Sequence, residues 1–304
     1  MEPMPLNSLT PSNREVGAEI GLLGVGLLGS AVCQRLMNHG YQMRVWSRFR
    51  HEAEPVMARG AVWSDNPLAD CSRVILCLYS SPVVSEVLRS LEAGLHAGQT
   101  LIDMTTGSPE DAIQLFQKLA RRDIAYLEAP VSGSSQQALE GQAMIMVGGD
   151  RQAYEANSDL WNVLGRSVHY TGSSGSASRM KLVTNLVLGL NRAALAEGLS
   201  FARAIGLDPG SALQILVDSA AASRVMDTKG SKMVEEDFSV QARLSQHLKD
   251  VRIMLQLAGD CNIPLPLSET HRQLLESAVD RGWGELDNSA VIRVYPKHAE
   301  GKKG

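Results

Sequence analysis

An α/β N-terminal half with a parallel-rich sheet, followed by an all-α C-terminal half joined to it by a long interdomain helix, is the fold this 304-residue chain predicts. Three observations predict it. Up to about residue 172, short apolar runs alternate with helical patterns. Those runs are nearly continuous in apolar character, as strands buried on both faces are. Beyond that point the strand signals stop and helical periodicity takes over. At roughly 100–200 residues per domain, the length accommodates two.

The strand patterns fall at 19–23, 42–46, 74–78, 100–104 and 125–128, and two more, 143–147 and 168–170, are expected near the sheet's far edge. Helical spacing at 31–38, 83–91 and 112–119 supplies the crossovers that cover both faces of a parallel sheet. The stretch 175–205 reads as helix throughout and would run about 45 Å. Its small residues Gly189, Ala193, Ala196 and Gly198 allow other helices to approach closely. Gly206 suits a C-cap, and Asp208-Pro209 starts the next helix, with further helices at 211–219, 244–258 and 268–281. The expected organisation is a tail at 1–18, an α/β domain at 19–172, a helical domain at 173–295 and a tail at 296–304.

A net charge of −4 with scattered Lys and Arg gives no basic stripe, so no nucleic-acid partner is expected. Four cysteines without paired spacing and seven histidines without a ligand array suggest neither a disulfide framework nor a metal site. A cytoplasmic, reducing setting follows. The apolar run 20–32 follows Glu15 and Glu19 and holds four glycines, so neither a leader nor a membrane span is expected.

Chemistry enters at Gly24-Val25-Gly26-Leu27-Leu28-Gly29, a G-x-G-x-x-G spacing directly after a strand and before a helix. The first glycine permits a tight turn, the second a close backbone approach to a pyrophosphate, and the third close helix packing. A Rossmann-type dinucleotide site is therefore expected. The second strand ends Val45-Trp46-Ser47-Arg48, with no carboxylate for a ribose 2′-hydroxyl. Arg48, with Arg50 as a second candidate, suits a 2′-phosphate and favours NADP, while Glu52 a few residues on keeps NAD open.

Three further segments end strands or open a helix. Asp103-Met104-Thr105-Thr106 offers hydroxyls, and Glu128-Ala129-Pro130-Val131-Ser132-Gly133-Ser134 offers backbone N–H groups near a glycine. Lys181 and Asn185 stand one helical turn apart, so ammonium and amide face one small ligand.

In these motifs, taken in order with Gly141, Gly172, Gly175 and Lys249-Asp250, the chain resembles the β-hydroxyacid dehydrogenase family from about residue 19 to 295. The wording Pro130-Val131-Ser132-Gly133-Ser134 and Met180-Lys181-Leu182 is similar to its glyoxylate/succinic semialdehyde reductase branch. The resemblance implies that Lys181 is catalytic, that Ser132, Gly133 and Asn185 bind a carboxylate substrate, and that Thr106 and Lys249 contact the cofactor. Ser47 and Leu78 join Gly24, Gly26, Leu27, Leu28, Gly29 and Arg48 in that cofactor set. Ser47 replaces a common Asn, Tyr79 a common Leu, and Gln136 and Gln137 a common Gly or Lys, which leaves the substrate open.

The implied reaction is hydride transfer between a nicotinamide and a small carboxylate-bearing aldehyde or β-hydroxyacid, with Lys181 as general acid and base. An imine reductase-like enzyme and a non-catalytic oligomerising module are the alternatives, and Lys181 argues against both. A homodimer or higher homo-oligomer is expected from the long helix.

Overall fold

The computed structural model describes residues 19–296; the tails expected at 1–18 and 296–304 lie outside these residues, apart from Pro296. Nine strands of the described residues form one sheet: β1 (Glu19–Leu23), β2 (Gln42–Trp46), β3 (Val62–Trp63), β4 (Arg73–Leu76), β5 (Thr100–Asp103), β6 (Ala125–Glu128), β7 (Val131–Ser132), β8 (Met144–Gly149) and β9 (Ser167–Gly172). Their order is β3-β2-β1-β4-β5-β6-β8-β7, with β9 paired to β8. From β3 to β6 every pairing is parallel, whereas β8 runs antiparallel to β6 and β7 and parallel to β9.

Side chains alternate across a strand, and both faces here are apolar. Ile20 and Leu22 of β1 join Val45, Ile75, Ile102, Leu127 and Trp161 in one core layer. Leu23 joins Val74, Leu76, Leu101, Tyr126 and Leu119 in the opposite layer. Gly21 leaves room on that second face, where a Cβ would stand 3.0 Å from Val74 and 3.1 Å from Pro67. The strand order reverses at β1, which has β2 on one side and β4 on the other. A crevice opens beyond the C-terminal ends of the strands at such a reversal.

The expected strands are present, with shifted ends: β8 and β9 run longer than their apolar runs, to Gly149 and Gly172. β3 and β7 were not expected, because two residues are too few to show periodicity. The first helix, Leu27–Met37, begins at the glycine turn rather than at Ala31.

The chain divides into two compact units inside the long helix Ser176–Ala204, between Lys181 and Leu182. In the second unit that helix ends before Gly206, which has φ +86°. Asp208 caps the helix Pro209–Asp218 by accepting from Ser211 N at 2.8 Å. Helices Leu244–Asp260 and Pro266–Asp280 follow. The unit's core gathers Leu195, Leu199, Met233, Leu248, Val251, Leu275 and Val291. No helix among the described residues is long and apolar enough to cross a membrane.

Gly189 does what its size suggests: a Cβ there would stand 2.4 Å from His247 Nε2 and 2.7 Å from His271 Cε1. Gly198, by contrast, faces open space. The second unit also buries charge. Lys229 Nζ donates to both oxygens of Asp287 at 2.9 Å, and Asp287 additionally accepts from Gln241 N, Ala242 N and Ser289 N. Such a pair persists because every lone pair of the carboxylate is used.

His271 is 3% exposed, and burial, then the charge of Arg192, pushes its imidazole down from 6.5 to about 4. With a lowered folded value, the unfolded chain binds more protons between those limits. The histidine's contribution is thus full above 6.5 and lost as pH falls through about 4. Urea unfolding at pH 7, 5.5 and 4 is expected to show His271→Leu losing less stability than the wild type over this range, by on the order of 3 kcal/mol. Equal losses in the two proteins would refute the assignment.

Candidate active site

The turn after β1 separates its three glycines by their reasons for being glycine. Gly24 has φ +97°, and a Cβ would stand 2.4 Å from the Cys77 carbonyl oxygen. At Gly29 a Cβ would meet the Gly24 carbonyl oxygen at 1.9 Å, so the helix could not lie so close to the strand. Gly26 is different: it is exposed, it precedes the helix Leu27–Met37 without a side-chain cap, and a Cβ would meet nothing within 4 Å. Protein packing requires the outer glycines and not the middle one. Space above uncapped helix N–H groups fits the pyrophosphate of a dinucleotide. Leu27 is exposed and Leu28 half-buried beside it.

At the end of β2, Ser47 is buried and its hydroxyl donates to the Glu52 carboxylate. Arg48 is exposed, with Nη2 3.1 Å from Glu86 Oε1. Arg50 lies over the Trp63 ring, 5.3 Å from its centroid.

Beyond β4, Leu78 N donates to Thr105 Oγ1 at 3.1 Å, which ties this loop to the one after β5. Asp103 closes β5 and accepts from Thr105 N and from the Tyr126 hydroxyl, both at 2.9 Å. Burial pushes its carboxyl up to about 6 against these bonds. Thr106 follows, half-buried.

Glu128 closes β6 and is 2% exposed. Its carboxylate accepts from Ala177 N at 3.1 Å, from Ser178 N at 3.2 Å and from the Ser178 hydroxyl, and burial raises its pKa. The long helix is thereby seated on the strand end. Three residues on, the Val131 carbonyl accepts from Lys181 Nζ at 2.7 Å, and Lys181 is itself 7% exposed. Ser132, next along, is half-buried in β7, whose pairing to β8 joins it to Met144. Gly133 is exposed, and a Cβ there would stand 3.1 Å from that of Ala143. Ser134 and Gln137 then form a capping box, which commits Gln137 to holding the turn. Gln136 instead bonds Glu140 on the surface.

In the second unit, Asn185 is 5% exposed and its Nδ2 donates to Asp250 Oδ2 at 2.9 Å. Lys249 Nζ stands 3.0 Å from Asp250 Oδ1. One carboxylate thus holds both sequence-predicted residues of this unit.

The first unit gathers Gly24, Gly26, Leu27, Leu28, Gly29, Ser47, Arg48, Leu78, Thr106, Ser132 and Gly133 on the segments that follow the C-terminal ends of β1, β2, β4, β5 and β6. Lys181 joins them through Val131. Sequence reasoning gave no role to Glu128 or Asp250. A carboxylate ending an otherwise apolar strand was the available signal for the first.

The sequence model of the NAD binding domain of 6-phosphogluconate dehydrogenase matches residues 19–172. That of the NAD-binding region of NADP-dependent 3-hydroxyisobutyrate dehydrogenase matches 175–295. Glyoxylate/succinic semialdehyde reductase 2, chloroplastic, of Arabidopsis thaliana is 30% identical over 95% of this chain and 83% of its own length. Cytokine-like nuclear factor N-PAC of Homo sapiens is 29% identical over 95% of the chain, which spans only 52% of that protein. A solved structure of 3-hydroxyisobutyrate dehydrogenase from Salmonella typhimurium shares the fold, with a TM-score of 0.84 at 22% identity over 91% of this chain and all of that one. The glycine turn, the strand order and both halves of the match agree: the chain belongs to the β-hydroxyacid dehydrogenase family, the NAD(P)-dependent dehydrogenases and reductases that act on CH–OH groups.

Proposed function

We propose that this chain is an NADP(H)-dependent oxidoreductase that moves a hydride between the nicotinamide and a small carboxylate-bearing aldehyde or β-hydroxyacid, with Lys181 as general acid and base. The observation that carries this reading is a buried ammonium, 2.7 Å from the Val131 carbonyl and one residue from the Ser132-Gly133 turn. The cofactor, when bound, supplies or accepts the hydride at the carbonyl carbon. In reduction, Lys181 Nζ stabilises the negative charge developing on the carbonyl oxygen and delivers its proton there. In oxidation, neutral Lys181 takes the alcohol proton. A positioned acid of this kind contributes roughly 10²–10⁴-fold. Ser132 and Gly133 hold the carboxylate, Asn185 orients the hydroxyl, and Lys249 and Thr106 serve the cofactor.

The similarity to the Arabidopsis enzyme makes glyoxylate and succinic semialdehyde the first substrates to try, with tartronate semialdehyde and 3-hydroxyisobutyrate beside them. Lys181→Met is expected to abolish NADPH consumption across this panel while leaving NADPH affinity within about twofold, measured by fluorescence titration. Retained turnover would sink the assignment.

NADP preference is supported at the end of β2, where Glu52 is engaged by Ser47 and Arg48 is exposed. Arg48→Ala is expected to weaken NADPH binding by roughly 10- to 100-fold, the size of a charge-assisted bond, and to leave NADH binding nearly unchanged. Equal losses for both nucleotides would remove the argument.

A homodimer is supported by the long helix, which exposes Val183, Val187 and Phe201 at helical spacing, with Ile205 exposed just past its end and Ile215 on the next helix. Light scattering coupled to size exclusion is expected to give twice the chain mass at micromolar concentration, and a monomer would count against it. A reducing, cytoplasmic setting suits four cysteines that form no disulfide.

A further inference from the structure

Two contacts tie the end of β6 to the first turns of the long helix, and they lie at matching offsets. Glu128 meets Ala177 and Ser178, and Val131 meets Lys181. Both sides advance three residues between the contacts, but by different lengths. Three extended residues cover about 10 Å, whereas three helical residues rise about 4.5 Å. A difference of on the order of 5 Å remains, close to the reach of a lysyl side chain. With the helix start held against Glu128, the ammonium meets the Val131 carbonyl.

We propose that Glu128 is a positioning residue that seats Lys181, by clamping the N-terminus of its helix to the strand end that leads into the Ser132-Gly133 turn. This deepens, and rests on, the reading of Lys181 as acid and base. The clamp has its own space: a Cβ at Gly148 would stand 2.4 Å from Glu128 Oε1 and 2.9 Å from Ser176 Oγ. It also has no competitor in Asp103, its register partner on β5, whose carboxylate takes Thr105 N and the Tyr126 hydroxyl instead. Backbone N–H groups and a hydroxyl converge on Glu128, and a carboxylate, which accepts at both oxygens, suits them. An amide would turn one of those acceptors into a donor facing donors.

The test is Glu128→Gln, read in two ways. Amine labelling by acetic anhydride, followed by peptide mass spectrometry, is expected to rise roughly fivefold or more at Lys181 as local opening becomes easier. Labelling of the buried Lys229 and Lys232 is expected to stay at the wild-type rate, which separates a local release from general loosening. With succinic semialdehyde, or the fastest compound of the panel, kcat is expected to fall roughly 10- to 100-fold with KM values unchanged, as a displaced catalytic group requires. Unchanged labelling of Lys181 would overturn the proposal, as would equal rises at all three lysines. Should Lys181→Met retain turnover, the acid–base reading fails, and labelling still decides whether Glu128 seats the lysine. Ser178→Ala, which removes one donor and keeps the charge, gives the same two readouts on a smaller scale if Glu128→Gln does not fold.

Discussion

The placement of β1, paired in parallel with β2 on one side and β4 on the other, is the constraint on which the rest of the first unit depends. Parallel strands end at one edge, so every loop that follows them emerges on the same side. The backbone bonds past the strand ends show how tightly that edge is drawn. Gly24 N donates to the Trp46 carbonyl at 2.8 Å, Cys77 N to Leu23 at 2.9 Å and Met104 N to Leu76 at 2.8 Å. With neighbours this close, the β1 chain can turn over Cys77 only without a side chain at Gly24, and the helix can return only without one at Gly29. The fingerprint is thus first a packing solution, and the open position at Gly26 is what packing leaves over for a ligand.

The same edge creates buried polar groups that must find partners. Asp103 and Glu128 end adjacent strands in register, and each answers backbone donors that would otherwise be orphaned. Their burial has a cost, visible in the upward shifts of both carboxyls. For Asp103 the folded value of about 6 lies above its ordinary 3.8, so the stability it confers is full below 3.8 and lost as pH rises through about 6. Near neutral pH its ionisation costs folding stability, yet without it Thr105 N and the Tyr126 hydroxyl would lack an acceptor. An unsatisfied buried donor costs roughly 1–3 kcal/mol apiece, comparable to the burden it replaces.

Legibility followed length and periodicity. The strands from β1 to β6 that hold four or five residues, and helices such as 244–258, showed in the sequence because burial on two faces or one stripe leaves a repeating pattern. β3 and β7 could not show, being two residues long and defined by the neighbours they pair with. Among the site candidates, the glycine spacing identified itself, because each glycine answers a backbone demand. Glu128 did not: its partners lie about 50 residues away, and only the folded backbone brings a helix start to a strand end. Gly148 was equally silent, since the atoms that forbid a side chain there belong to Glu128, Ser176 and Ala177.

The end of β2 is where sequence pattern and side-chain geometry need each other. Glu52 left the cofactor preference open in the sequence, since a carboxylate a few residues past the strand is able to accept from a ribose hydroxyl. In the fold, the buried Ser47 hydroxyl takes that carboxylate as its acceptor. Among the described residues Arg48 pairs with Glu86, and both side chains are more than half exposed, at 54% and 56%. An exposed pair of this kind contributes about 0–1 kcal/mol, whereas bonds between a guanidinium and a phosphate are worth roughly 1.5–3 kcal/mol each. A 2′-phosphate beside Arg48 would thus offer it a stronger partner than Glu86, while recovering Glu52 for a ribose would leave the Ser47 hydroxyl in search of another acceptor. Both sides of that comparison support the NADP preference proposed above.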